Sequence, residues 1–315
     1  MKILYPGDMG IWVQYLQLAL SRAGCPITVD GIFGEETCEC VGRFLPYGAA
    51  CIVNDDVWQE LLPYLKGYTT HTVEEGDTYW SLASRYHSTV GMISTANPNV
   101  DFDNLQLGMQ LVIPYSFRLV PDNVDYSSIL NAFIIEGMVM RYPFLVSGSI
   151  GKSVMGNDIS YIKMGTGQQQ LFYNAAFHAN EWITTPVLLT FVEEYAQAFA
   201  NGGTLYGMSS SLLFQRFQLY LVPMVNPDGV DLVTGLLDSG KEYDNAVQIA
   251  KEYPEIPFPQ GWKANIEGVD LNLQFPAGWQ IARQIKFEQG YVSPAPRDYV
   301  GTAPLTAPES VAVYE

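Results

Sequence analysis

Gln170-Leu171-Phe172-Tyr173-Asn174-Ala175-Ala176-Phe177-His178-Ala179-Asn180-Glu181-Trp182-Ile183 decides how this chain is read. An apolar run that reads as a strand delivers the step His178-Ala179-Asn180-Glu181, and a helix-like run follows it. A histidine nitrogen and a carboxylate three residues apart can turn toward one point. That is part of a catalytic zinc site, which takes three protein ligands and keeps one position for water. The chain has only three histidines, His71, His87 and His178, so none lies after His178.

Composition limits what surrounds this step. A length of 315 residues suggests about two or three domains. Hydrophobic residues make up 48%, enough for sizeable cores. A net charge of −17 argues against nucleic acid and against docking on anionic lipid, both of which need a basic face. Neutral glycans, held by shape, aromatic rings and hydrogen bonds, are compatible with it. The start, Met1-Lys2-Ile3-Leu4-Tyr5-Pro6-Gly7-Asp8, lacks the long apolar stretch of a secretory signal. No apolar run reaches the roughly 18 to 20 residues of a membrane span. The four cysteines, Cys25, Cys38, Cys40 and Cys51, all fall in the first segment. Disulfides are one reading and zinc on Cys38-Glu39-Cys40 another; the expectation is buried free thiols.

Three segments follow one another. Over residues 1–66, a helical stretch carries Ile11, Val13, Leu16, Leu18 and Leu20. The turn-rich run Val29-Asp30-Gly31-Ile32-Phe33-Gly34-Glu35-Glu36-Thr37 leads into a second helix, and a third spans Asp55 to Leu65. Val13, Tyr15, Leu16 and Gln17, followed by D-G-I-F-G-E-E-T, resemble the small three-helix peptidoglycan-binding domain. Over residues 68–116, His71-Thr72-Val73-Glu74-Glu75-Gly76-Asp77-Thr78-Tyr79-Trp80-Ser81-Leu82-Ala83 reads as strand, turn and helix start, with Thr78 as helix cap. Leu107-Gly108-Met109-Gln110-Leu111-Val112-Ile113-Pro114 closes the segment as a strand. Both runs resemble a βααβ LysM domain, a fold that binds polymers containing N-acetylglucosamine. His71 and His87 are expected to be structural or solvated.

Residues 120–315 alternate helices and strands, as in an α/β domain with a mixed sheet. Helices are expected at Ser127–Tyr142 and Thr185–Ala200, and strands at Ile159–Gly165, Gln170–Phe177 and Leu219–Val225. Four landmarks resemble the zinc metallocarboxypeptidases of the carboxypeptidase A type: Ile150-Gly151-Lys152-Ser153-Val154-Met155-Gly156, His178-Ala179-Asn180-Glu181-Trp182, Val225-Asn226-Pro227-Asp228-Gly229, and Gly268-Val269-Asp270-Leu271-Asn272. The resemblance implies His178 and Glu181 as zinc ligands and Asn272 as a hydrogen-bonding group for the substrate's terminal carboxylate. It implies Lys263 as the cation that polarises the scissile carbonyl, the alternative being a solvated surface lysine.

Three departures from the family pattern are informative. Leu273 stands where the family has a carboxylate-clamping arginine, and leucine cannot make a bidentate charged pair. Together with Gln274-Phe275-Pro276-Ala277-Gly278-Trp279, this points to peptidases of the γ-D-glutamyl-diaminopimelate type. Asn180 replaces a common arginine. No histidine follows Phe275, Glu309 falls in a P-E-S element that precedes a helix, and Glu315 is an ordinary terminal residue. The third ligand and the general base are therefore missing from these residues.

The expected protein is multidomain, with an incomplete peptidase domain: a cell-wall-binding zinc peptidase whose 315 residues are inactive. Its partners are peptidoglycan glycan strands and stem peptides, at a bacterial cell wall, spore cortex or extracellular site, or inside the cell during sporulation. The alternative is a non-catalytic peptidoglycan-binding protein with a remnant peptidase domain.

Overall fold

The structure, a computed structural model, describes residues 1–315. The chain divides into two compact units. The first comprises Met1–Val124, Phe133–Val146 and Glu193–Phe214; the second comprises Asp125–Ala132, Ser147–Val192 and Gln215–Glu315.

The first unit opens with helices Ile11–Arg22, Glu35–Val41 and Asp55–Lys66. Helix Ile11–Arg22 buries Val13, Tyr15, Leu16, Leu18, Ala19 and Leu20, together with one polar residue, Gln17. Gln17 explains the D-G-x-F-G run. Its side-chain amide donates to Asp30 Oδ1 (2.7 Å) and its carbonyl accepts from Gly31 N–H (2.8 Å). Gly31 has φ +74°, a conformation that L side chains rarely adopt. Helix Asp55–Lys66 is capped by Asn54, whose side chain accepts from Val57 N–H, and stops at Gly67 in the left-handed region.

The cysteines correct the expectation of free thiols: Cys25 pairs with Cys40, and Cys38 with Cys51. Cys38 and Cys40 lie two residues apart on helix Glu35–Val41 and so face different sides. Each therefore meets its own partner, at Cα separations of 5.9 and 5.8 Å.

Strand Tyr68–Thr72 then pairs antiparallel with Gln110–Pro114, in a register that sets Tyr68 opposite Pro114. Helices Tyr79–Arg85 and Val90–Ala96 lie between these strands in sequence. Val73, Tyr79, Leu82, Ile93, Leu111 and Ile113 form the core. Thr78 caps the first helix as expected, in a reciprocal capping box with Ser81. His71 is structural: its Nε2 lies 2.6 Å from Asp77 Oδ2 and its Nδ1 2.9 Å from Tyr86 Oη.

The second unit is built on a four-stranded sheet in the order Val146–Lys152, Asp158–Met164, Phe217–Val222, Gln169–Asn174. Phe217–Val222 runs antiparallel to Asp158–Met164 and parallel to Gln169–Asn174, so the sheet is mixed. Strand Gln169–Asn174 ends three residues before the expected Phe177, because Ala176 turns to φ +44°. No α-helix begins directly at Glu181. A 3₁₀ turn, Ala179–Glu181, comes first, and helix Thr184–Ala200 starts after it. Helix Pro227–Thr234 follows the central strand Phe217–Val222, with Asn226 as N-cap and Pro227 in the first turn.

Candidate metal centre

Asn226-Pro227-Asp228-Gly229 carries the local architecture of the site. Gly229 packs so closely on the 3₁₀ turn that a Cβ there would meet Ala179 Cβ at 2.8 Å. Asn226 accepts from Gly229 N–H and donates to Ala264 O (2.9 Å). Ala179 N–H donates to Lys263 O (3.0 Å). Asp228, fully buried, accepts from Ser153 Oγ (2.7 Å), Met155 N–H (2.8 Å) and Asn157 Nδ2 (2.8 Å). Sequence segments tens of residues apart are thereby hydrogen-bonded into one scaffold. Trp262, fully buried with its Nε1 on Asn265 O (3.0 Å), anchors the segment that carries Lys263.

On this scaffold His178 lies between two carboxylates. Its Nδ1 is 3.0 Å from Glu181 Oε1 and its Nε2 is 3.1 Å from Asp270 Oδ1. Asp270 is nearly buried; its second oxygen accepts from Asp298 N–H (3.2 Å) and faces Lys263 Nζ at 4.0 Å. Burial alone would lower the His178 pKa, but the hydrogen bond and charge of Asp270 and the hydrogen bond of Glu181 outweigh it and raise that pKa. Burial pulls the Asp270 carboxyl upward, and His178 and Lys263 overcome this to hold it below the ordinary aspartate value. Asp270 is thus held as an anion within hydrogen-bond distance of Nε2. With no metal present Nδ1–H can donate to Glu181; with the single ring proton on Nε2, Nδ1 would offer its lone pair to a metal, the arrangement by which a carboxylate orients a metal-binding histidine.

The donor chemistry of His178 and Glu181 fits two positions of a zinc site. No group of three or more histidine, cysteine, aspartate or glutamate side chains forms a site that could hold a metal.

The model of the zinc carboxypeptidases matches residues 132–315. The chain belongs to the zinc carboxypeptidase family. Residues 71–114 match the LysM domain model. Gamma-D-glutamyl-L-diamino acid endopeptidase 1 of Lysinibacillus sphaericus is 44% identical over 200 residues, covering 63% of this chain and 48% of that protein. The uncharacterized protein YqgT of Bacillus subtilis (strain 168) is 35% identical over 231 residues, covering 71% of this chain and 60% of its own. The chain thus spans roughly half the length of these relatives. Among solved structures, bovine thrombin-activatable fibrinolysis inhibitor in complex with tick carboxypeptidase inhibitor is 22% identical. That match covers 60% of this chain and 54% of its own, with a TM-score of 0.41.

Within this zinc carboxypeptidase chain, the residues singled out from sequence fall as follows. His178 and Glu181 come together. Lys263 is largely withdrawn from solvent and sits beside Asp270, so it is not a freely solvated lysine. Asn272 is exposed on a 3₁₀ turn, Leu271–Leu273, immediately after Asp270. Glu309 opens helix Pro308–Tyr314, as its P-E-S context implied, and is fully buried. It accepts from Val154 N–H and Asn265 Nδ2, both at 3.1 Å.

Two residues escaped the sequence reading. Asp270 stands in the G-V-D-L-N run, where attention went to Asn272; its histidine partner is 92 residues away. Gln274 is fully buried and accepts from Thr306 N–H (2.7 Å) and Ala307 N–H (2.9 Å). It therefore ties down the loop before helix Pro308–Tyr314.

Proposed function

We propose that this protein is a cell-wall-binding zinc peptidase acting on γ-D-glutamyl bonds to a diamino acid in peptidoglycan stem peptides. The observation that carries the proposal is His178 held between Glu181 and Asp270. It occurs in a zinc carboxypeptidase chain whose relative is a γ-D-glutamyl-L-diamino acid endopeptidase. Leu273 supports the same specificity, since an apolar side chain at that position leaves a substrate's terminal carboxylate without a charged clamp.

His178 Nδ1 and Glu181 would hold the metal, and Asp270 would keep His178 in the metal-binding tautomer. Zinc, when bound, supplies Lewis acidity toward a carbonyl and a water acidified to a pKa of about 7. Lys263 contributes positive charge next to Asp270, in reach of a role at a developing oxyanion. Asn272, exposed beside this cluster, would hydrogen-bond substrate. The LysM domain supports binding to N-acetylglucosamine-containing glycan, and residues 1–66 are assigned as a three-helix peptidoglycan-binding domain. The three proposed domains are 1–66, 68–116 and 120–315, and the site of action is the bacterial wall or spore cortex.

These 315 residues by themselves are expected to bind insoluble peptidoglycan without hydrolysing it, because a third metal donor is missing from the cluster. A second reading, a non-catalytic wall-binding protein, is supported by the LysM match alone. Purified chain, incubated with Zn²⁺, muropeptides and insoluble peptidoglycan, tests both. Co-sedimentation without turnover is expected. Turnover abolished by a chelator would contradict the inactivity, and failure to pellet would remove the wall-binding reading.

A further inference from the structure

A cavity of about 580 Å³ lies within the first unit, apart from His178. It is bounded by helix Val90–Ala96, the segment Pro114–Arg118, Arg141 and Tyr142, and the second half of helix Thr184–Ala200. Its size falls within the roughly 300–1,000 Å³ of small-molecule sites, with room for about one or two hexose rings.

The chemistry of the lining indicates what fits. Arg141 and Glu193 are nearly buried and already engaged. Arg141 donates to Gly67 O (3.0 Å), Tyr115 O (2.9 Å) and Phe117 O (3.1 Å). Glu193 accepts from Leu119 N–H (2.6 Å) and Val120 N–H (3.0 Å), and lies 3.7 Å from Arg141. These charges cancel and their hydrogen-bonding capacity is taken up by the backbone; of the two exposed charges in the lining, Arg118 lies 3.9 Å from Glu193 and Glu194 accepts from Tyr206 Oη (3.2 Å), so the cavity offers no buried unpaired charge to an ionic ligand. Met92, Pro114, Phe117 and Tyr142 supply apolar surface. Thr95, Ser116, Gln197 and Asn201 supply hydroxyls and amides whose side chains make no hydrogen bond inside the protein. Apolar walls, neutral donors and acceptors with unused capacity, and balanced charge match a neutral amphipathic ring bearing hydroxyl and amide groups.

We infer that this cavity seats one or two N-acetylhexosamine rings of a glycan strand, a binding site separate from the candidate metal centre. The inference rests on the glycan-binding reading above. Residues of the LysM segment and of helix Thr184–Ala200 would then grip the same strand.

The test uses the full 315-residue chain with ¹³C-methyl methionine and a β-1,4-linked N-acetylglucosamine pentamer. The Met92 methyl resonance, assigned with Met92→Leu, is followed by NMR, and affinity is measured by calorimetry for wild type, Gln197→Trp and Ser116→Trp. Gln197 and Ser116 are both exposed, and an unchanged melting temperature verifies that each variant is folded. The expected result is a saturable shift of Met92 and an affinity about tenfold weaker in both tryptophan variants. Binding by wild type with Met92 unmoved and affinities equal would overturn this inference and leave the glycan-binding reading standing. No binding by wild type at all would overturn both. Movement of Met92 by a γ-D-glutamyl-diamino acid peptide but not by the pentamer would overturn the assignment to sugar.

Discussion

His178 has two ring nitrogens, and each meets a different carboxylate. Glu181 is three residues along and was visible as a partner from spacing alone. Asp270 comes from a separate segment, and only the folded chain shows that it reaches Nε2. Local pairs can be read from a sequence because the backbone limits where three residues can go. A second partner 92 positions away is fixed by packing, here by the closeness of Gly229 to Ala179 and by the bond from Ala179 N–H to Lys263 O.

Buried carboxyls elsewhere give a pH signature. Burial pushes Asp231 up to about 7 against its ordinary 3.8, although Ser128 donates to it through both N–H (2.8 Å) and Oγ (2.6 Å). Burial likewise pushes Glu309 up to about 7. Each group binds its proton more tightly folded than unfolded. Each therefore favours folding below its unfolded pKa, and that contribution is lost as pH rises through about 7. The expected outcome is a lower melting temperature at about pH 8 than at about pH 5, with a smaller difference in Asp231→Asn. Asparagine keeps both contacts, with the Ser128 hydroxyl turned to accept. An unchanged difference in that variant would remove Asp231 from the explanation.

At the scale of elements, three strands and the helix after the ligand-bearing turn were legible in the chain, whereas the strand order and strand Val146–Lys152 were not. The apolar run Leu219–Val222 is the central strand, and Asn226-Pro227 starts a helix because asparagine caps it and proline suits its first turn. The break after Asn174 was not legible: nothing local demands φ +44° at Ala176, where the backbone accepts from Asn226 N–H and donates to Thr184 Oγ1. The disulfides escaped for a different reason, since pairing depends on which side of helix Glu35–Val41 each cysteine faces. Gly229→Ala tests the packing of helix Pro227–Thr234 on the ligand-bearing turn. The added methyl has no space beside Ala179, so urea unfolding should report a loss of about 1–3 kcal/mol. A variant as stable as wild type would show that this contact does not position the turn.

For the whole molecule, the charge of −17 argues against phosphate recognition, and the proposed grip on glycan would rest on uncharged contacts. Binding to insoluble peptidoglycan should therefore change little between roughly 0.05 and 0.5 M salt, as pelleting assays would show. A steep loss of binding with salt would mean that charge, not sugar chemistry, holds the chain to the wall. The LysM and zinc carboxypeptidase motifs were legible before the structure. The division into two compact units was not, because stretches such as Phe133–Val146 and Glu193–Phe214 join the first unit from positions far along the chain.

His178 and Glu181 are proposed as donors to one metal ion, with Asp270 setting the histidine tautomer. Crystals of the chain soaked with Zn²⁺ and measured at the zinc absorption edge test it most directly. The expected result is one anomalous peak bonded to both His178 Nδ1 and the Glu181 carboxylate, absent in His178→Ala and weakened in Asp270→Asn. A peak bonded to His178 Nε2, or zinc bound only elsewhere on the chain, would contradict it.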